Sequence, residues 1–210
     1  MLPAMSDVRR IRIRRPGGHD RLELERDYDP GRPGPGELLV GVRAAGVNYA
    51  DSMVRMGLYA SAREYVGWPI TPGFEFAGHV LDVGAGVTSA RVGDAVFGVT
   101  RFGAWSSHLV AREDLVLPLP DRLTLEQAAA FPTVFLTAWY PLHALTRVRA
   151  GETVLVHSAA GGVGGALVQL CRIAGCRVVA VVGATHKVDH ARALGADLVI
   201  DRSRDDHWTA

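Results

Sequence analysis

A chain of 210 residues, 48% of them hydrophobic, is long enough to bury a core as one large domain or two small ones. Its formal net charge of +1, with no long block of one sign, argues against nucleic acid or an anionic membrane surface as its main partner. No apolar run reaches the roughly 20 residues that a membrane helix needs, so membrane insertion is not expected. The opening MLPAMSD lacks an apolar signal core, and a cytoplasmic location is the expectation.

Taken in chain order, the first basic cluster, VRRIRIRR at 8–15, alternates charge with isoleucine. This is the pattern of a strand with one wet face rather than a basic binding arm. Up to about residue 130, short alternating runs such as RLELER, ELLVGVRAAGV, FEFAGHVLDVG, DAVFGV and DLVLPL are separated by clusters of Gly, Pro and Asp. Short strands at that spacing predict a compact, barrel-like β domain over 1–130. One helical segment, YADSMVRMG at 49–57, interrupts them. Within it Asp51 and Arg55 stand one turn apart and are expected to pair.

From about 124 the texture changes. TLEQAAA and TVFLTAWYPLHALTRV have helical spacing, and Pro141 is expected to kink or divide the second. After these come a strand TVLV, a glycine-rich turn, a helix GALVQLCRIAG, a strand RVVAVV, a helix HKVDHARALG and a strand DLVI. Alternation of this kind implies parallel strands joined by crossover helices. The expected class is therefore α/β, a β-barrel domain followed over 131–210 by part of a doubly wound domain. Cys171 and Cys176 are the only cysteines. Their spacing fits neither a redox pair nor a metal-ligand set, and small core residues are expected.

The turn between the first strand and helix of this half reads Ala159-Ala160-Gly161-Gly162-Val163-Gly164. A strand, an A-x-G-x-x-G turn and a helix form the dinucleotide-binding arrangement, with Ala159 in place of the usual first glycine. Gly161 permits close approach of a pyrophosphate, Gly164 permits tight packing of helix on strand, and the helix start offers free N–H groups to the anion. An acid about 20 residues further on would accept from the ribose hydroxyls of NAD and repel a 2′-phosphate. That region reads Val181-Val182-Gly183-Ala184-Thr185-His186-Lys187. With Gly183 in place of an acid, and Lys187 and Arg202 nearby in sequence, NADPH is the expected cofactor.

The blocks GVNYADSMVRMGLY at 46–59, PITPGFEFAG at 69–78, GDAVFG at 93–98, AAAFPTVFLTAWYPL at 128–142 and VLVHSAAGGVGGALVQLCRIAG at 154–175 resemble those of the medium-chain dehydrogenase/reductase superfamily. Within it they are similar to the zinc-free quinone oxidoreductase branch, which includes zeta-crystallin and the vesicle amine transport proteins. The resemblance implies a GroES-like first domain and a Rossmann second domain. Where zinc enzymes of the superfamily place Cys, His and Cys, this sequence has Asn48, Phe74 and Thr133, none of which supplies a thiolate or imidazole; no metal is expected. His79 and His108 are read as structural.

Without a Lewis acid the implied chemistry is transfer of hydride from NADPH to a quinone or an α,β-unsaturated carbonyl. Asn48 and Tyr59 are the candidate catalytic residues. Asn48 would donate to the substrate oxygen or cap the helix after it, and Tyr59 would line the pocket or give a proton. Glu75 is expected to be architectural. Thr137, Ser158, Ala159 and Ala160 are expected near the cofactor, beside Gly161, Gly162, Val163 and Gly164.

Two alternatives stand beside this reading, an enoyl reductase acting on acyl thioesters and a cofactor-binding protein without turnover. The resemblance further implies about six Rossmann strands, whereas the sequence stops after the third. The chain is therefore expected to be a fragment of a longer reductase that forms a homodimer when full length, or to be completed by another chain.

Overall fold

In the computed structural model of the chain, which describes residues 7–204, two compact units divide the polypeptide, Met1–Thr133 and Val134–Ala210. In the first unit, β1 (Arg9–Arg12) pairs antiparallel with β2 (Glu23–Arg26), with Ile11 opposite Leu24. Four of the arginines at 9–15 are tied to carboxylates. Arg10 and Arg12 share Glu25, Arg14 meets Glu23, and Arg9 meets Asp7. Three carboxylates thus offset much of the charge of the cluster.

The centre of this unit is a five-stranded antiparallel sheet. Its members are β3 (Glu37–Ala45), β4 (Glu75–Val83), β5 (Ala95–Val99), β6 (His108–Arg112) and β7 (Val116–Pro118), in the order β6-β3-β4-β5-β7. Alternate residues of one strand point to opposite faces, and here both faces are covered. Phe76 joins Leu38, Val40, Val80 and Val96 on one side, while its neighbour Ala77 packs on the other with Phe97, Ala128 and Ala129. Hence β4 is buried at consecutive positions from Glu75 to Gly78 instead of at alternate ones.

Two short helices lie in the long connection between β3 and β4. They are α1 (Tyr49–Arg55) and α2 (Ala60–Tyr65); the second carries no amphipathic signal long enough to read from sequence. Between them Gly57 takes a φ of 76°, which ends α1 two residues before the expected limit. Val54 and Ala62 bury against Ile13 and Ile70, with Tyr59, Phe74 and Phe102 packed beside them. After β7 come α3 (Leu125–Ala129), whose Thr124 and Gln127 form a reciprocal cap, and α4 (Pro132–Trp139). The boundary between the units falls inside α4.

Beyond Trp139 the helix widens. Pro141 has no N–H to continue the α pattern, and over Tyr140–Leu145 the turn opens so that the Thr146 N–H donates to the Pro141 carbonyl at 3.0 Å, five residues back. The expected division at Pro141 therefore takes the form of one π turn.

The second unit alternates strand and helix. β8 (Thr153–His157), α5 (Gly162–Ile173), β9 (Arg177–Val182), α6 (Val188–Ala193) and β10 (Leu198–Asp201) build a parallel sheet of order β10-β9-β8. Its core joins Val156, Val178 and Ala180 of the strands to Val168 and Cys171 of α5 and Ala191 of α6. Both cysteines are buried, and burial pushes the Cys171 thiol up to about 11, so it stays protonated. Because the strands are parallel, their carboxyl ends and the loops that follow lie along one edge of the sheet. There Val182 stands opposite Asp201, and His157 opposite Val181.

Candidate functional site

In the first unit a chain of buried polar groups begins at Gly46. A Cβ at this position would lie 2.2 Å from Glu75 Oε1 and 2.6 Å from the Ala129 carbonyl, so only glycine lets β3 run on this close to β4 and α3. The Trp105 indole donates to the Gly46 carbonyl at 2.9 Å and fixes the turn. Two residues on, the Asn48 Nδ2 donates to Glu75 Oε1 at 2.7 Å. The other oxygen of Glu75 accepts the Thr133 N–H at 2.8 Å, which satisfies a free donor at the start of α4. Glu75 is only 1% exposed. Its carboxylate thus joins Asn48 and Thr133, two of the three positions that the resemblance would align with zinc ligands. The Thr133 hydroxyl is buried without a hydrogen-bond partner, and Phe74, the third position, packs between Tyr59 and Phe102 at ring separations of 5.6 and 5.4 Å.

Asp51 departs from expectation. Its carboxylate accepts the Asn48 N–H at 2.8 Å and the Gly73 N–H at 2.9 Å, while Arg55 turns away and donates to the Gly17 carbonyl. The physical reason is burial. Asp51 is 2% exposed, and at that depth two backbone donors satisfy it with better geometry than a long cationic side chain one turn away. Burial raises its pKa above the ordinary carboxylate value, against the lowering effect of the two backbone N–H groups, and the nearby Glu75 adds to the rise.

Asn48 therefore does two things at once. It stands as N-cap of α1, with its own N–H held by Asp51, and its side-chain amide, anchored through one N–H to Glu75, keeps a second N–H. Tyr59 caps α2 at the edge of the aromatic group formed with Phe74 and Phe102. His108 is buried, within 2.9 Å of the Ser107 hydroxyl, and burial lowers its basicity. Among the described residues no three His, Cys, Asp or Glu side chains come together as a metal-binding group.

In the second unit the glycine turn is shaped by backbone contact. Ser158 takes a left-handed φ of 53°, and its carbonyl accepts the Gly161 N–H at 2.8 Å. A Cβ on Gly164 would lie 2.1 Å from that same carbonyl, so glycine is required for the helix to start where it does. Ala159, at the place of the first fingerprint glycine, is fully buried, and its N–H donates to the Val181 carbonyl at 3.1 Å. Gly161, Gly162 and Val163 are exposed at the head of α5.

A cavity of about 160 Å³ opens beside this turn. Its walls are His157, Ser158, Ala160, Gly161, Val181, Val182, Gly183, Lys187 and Arg202. The sequence-derived cofactor residues Ser158, Ala160, Gly161, Gly183, Lys187 and Arg202 are thus brought to one place. Arg202 lies over Gly183, where a Cβ would stand 3.5 Å from Nη2. Thr137 is exposed on α4 and is not among the walls. A turn of exposed backbone at a helix start, a glycine floor and two cations suit the pyrophosphate and phosphorylated ribose of a dinucleotide.

One residue that sequence reasoning passed over sits behind this cavity. Asp201, 5% exposed at the end of β10, accepts from the Thr185 hydroxyl at 2.6 Å, the Ser203 hydroxyl at 2.6 Å and the Ser203 N–H at 3.0 Å. The Ser203 and Thr185 bonds lower its pKa.

Two family models match the chain. One is described as alcohol dehydrogenase GroES-like domain, over residues 34–121, and the other as zinc-binding dehydrogenase, over 162–210. A phthioceranic/hydroxyphthioceranic acid synthase of Mycobacterium tuberculosis is 41% identical over 192 residues, which is 91% of this chain and 9% of that protein. Among solved structures, an Escherichia coli quinone oxidoreductase complexed with NADPH is 33% identical with a TM-score of 0.85, covering 94% of this chain and 60% of that one. The CurK enoyl reductase is 31% identical with a TM-score of 0.86, over 94% and 60% respectively. The chain thus spans about a tenth of the synthase that it matches and about three-fifths of the two solved chains.

Proposed function

Starting from a chain that belongs to the medium-chain dehydrogenase/reductase superfamily, in its zinc-free quinone oxidoreductase branch, we propose an NADPH-dependent reductase of quinones or α,β-unsaturated carbonyls. The observation that carries this reading is the cavity at the glycine turn, with Lys187 and Arg202 on its wall and a glycine, not an acid, after β9. The turn at 158–164 would hold the pyrophosphate, and the two cations would hold the 2′-phosphate. NADPH, when bound, supplies a hydride.

The residues of the first unit take the remaining work in this proposal. Asn48, with one N–H fixed on Glu75, turns its second toward the substrate oxygen and stabilises the negative charge that develops there. Glu75 orients that amide, and its charge strengthens the hydrogen bond it accepts. The aromatic group of Tyr59, Phe74 and Phe102, its rings tilted against one another, offers apolar faces and edges against which a conjugated ring would pack. The acceptor gains the hydride on carbon or oxygen and a proton from solvent, which completes the reduction.

A second reading, an enoyl reductase of acyl thioesters, is favoured by the likeness to the synthase and to the CurK enoyl reductase. Following NADPH oxidation at 340 nm against quinones, enones and acyl thioesters separates the two by which class turns over. Asn48→Ala is expected to lower kcat about 100-fold while NADPH affinity, read from cofactor fluorescence, stays unchanged. Equal kcat in wild type and variant would remove Asn48 from the chemistry, and absence of NADPH binding would remove the proposal.

A further inference from the structure

We propose that Asp201 is a positioning residue for cofactor choice, tying together the two loops that carry Lys187 and Arg202 so that their cations converge on a 2′-phosphate. The inference rests on the NADPH reading above and adds to it the device that sets the pocket's geometry. Val182 and Asp201 are opposite one another at the carboxyl ends of adjacent parallel strands, so the loops 183–187 and 202–204 leave from the same edge of the sheet. Among the described residues the backbone bonds of these loops are local, Lys187 N–H to the Ala184 carbonyl at 3.0 Å, Arg202 N–H to the Val182 carbonyl at 3.1 Å and Arg204 N–H to the Asp201 carbonyl at 2.9 Å, and none runs from one loop to the other. The side chain of Asp201 joins them. One oxygen accepts from Thr185, two residues before Lys187, and the other from Ser203, the neighbour of Arg202.

Placement and charge make opposite predictions for this residue. A carboxylate near a 2′-phosphate repels it, so if charge alone mattered, neutralising Asp201 would tighten phosphate binding. If placement matters, removing the side chain loosens both loops and weakens binding, whereas asparagine preserves function. Its carbonyl oxygen accepts from Ser203, and its amide donates to the Thr185 hydroxyl, which accepts as readily as it donates.

The test is calorimetry on the full chain with two ligands that lack the nicotinamide, adenosine 2′,5′-bisphosphate and adenosine 5′-monophosphate. Asp201→Ala is expected to weaken the bisphosphate about 10-fold and Thr185→Val about 3-fold, with the monophosphate changed less than about 2-fold in each. Asp201→Asn is expected to stay within about 2-fold of wild type for both. Should Asp201→Ala fail to fold, as thermal melting reveals, Thr185→Val and Asp201→Asn decide. Tighter or unaltered bisphosphate binding in the alanine or valine variant overturns the proposal, as does an equal loss of both ligands. A wild type that does not prefer the bisphosphate brings down the NADPH reading and this inference together; a preference undiminished in Asp201→Ala and Thr185→Val brings down the inference alone.

Discussion

Among the described residues each unit buries one aspartate, and the two are held in opposite ways. Asp51 lies deep in the first unit, where two backbone N–H groups do not offset the loss of water and the neighbouring Glu75 adds repulsion, so its proton is held more tightly than usual. Asp201 ends a strand in the second unit, where two hydroxyls and an N–H favour its charge, and its proton is released more easily than usual. The difference extends to the surroundings. The site around Asn48 is made of side chains that fix one another inside a core, whereas the cavity at the glycine turn is made of backbone and of exposed cations on loops. Substitutions in the first should leave nucleotide affinity unchanged, whatever they cost in stability or turnover, and those in the second should alter it.

The sharpest way to break that contrast is to add one methyl group to each region. Gly46→Ala drives a Cβ into Glu75 and the Ala129 carbonyl and is expected to cost about 3 kcal/mol, measured by urea unfolding. Gly164→Ala meets the Ser158 carbonyl and is expected to cost a similar amount, about 3 kcal/mol. Only the second, however, should also weaken nucleotide binding among molecules that remain folded, because it displaces the turn itself. Equal loss of nucleotide affinity in both variants would erase the distinction.

A smaller effect is expected from Glu75→Gln. The new amide presents N–H groups where the carboxylate accepted from Asn48 and Thr133, leaving one buried donor unmatched at a cost of about 2 kcal/mol. The decisive measurement is unfolding free energy beside kcat. A stable variant with unchanged turnover would show that Glu75 neither holds the fold nor orients Asn48.

The smallest effect is in pH dependence, and its sign differs between the two aspartates. With the folded value of Asp51 raised above 3.8, the folded chain binds the proton more tightly than the unfolded one. Its contribution is therefore greatest below 3.8 and declines as pH rises through the folded value. With the folded value of Asp201 lowered, its contribution is complete above 3.8 and is lost as pH falls through the folded value. Melting temperatures recorded from pH 3 to 7 should shift by about 2 °C from each source. Asp51→Asn should remove the decline toward neutral pH, and Asp201→Asn the decline toward acid. The same slope in both variants would contradict the assignment.

The alternation of strand and helix after residue 150 was legible because hydrophobic period and turn glycines are local signals. The same locality exposed the A-x-G-x-x-G turn and, through the missing acid after β9, drew attention to Lys187 and Arg202. What escaped was every bond between side chains distant in sequence or between a side chain and a remote N–H. Asp51 lies one helical turn from Arg55, which suggested a pair, yet its partner Gly73 is 22 residues away. Nothing in the spacing of Asn48, Glu75 and Thr133 announces that one carboxylate joins them, and nothing in the sequence around Asp201 marks it out. Such contacts are decided by burial, which a local pattern does not report. The π turn at Pro141 was half legible, since the missing N–H is certain from the residue type but the way a helix accommodates it is not.

Ser158 carries a consequence of its own. A left-handed conformation at a residue other than glycine costs on the order of 1 kcal/mol, and here its carbonyl meets the Gly161 N–H while leaving no room for a side chain on Gly164. The bend is therefore held by its own backbone contacts, and a guest that fits it has little chain entropy left to quench.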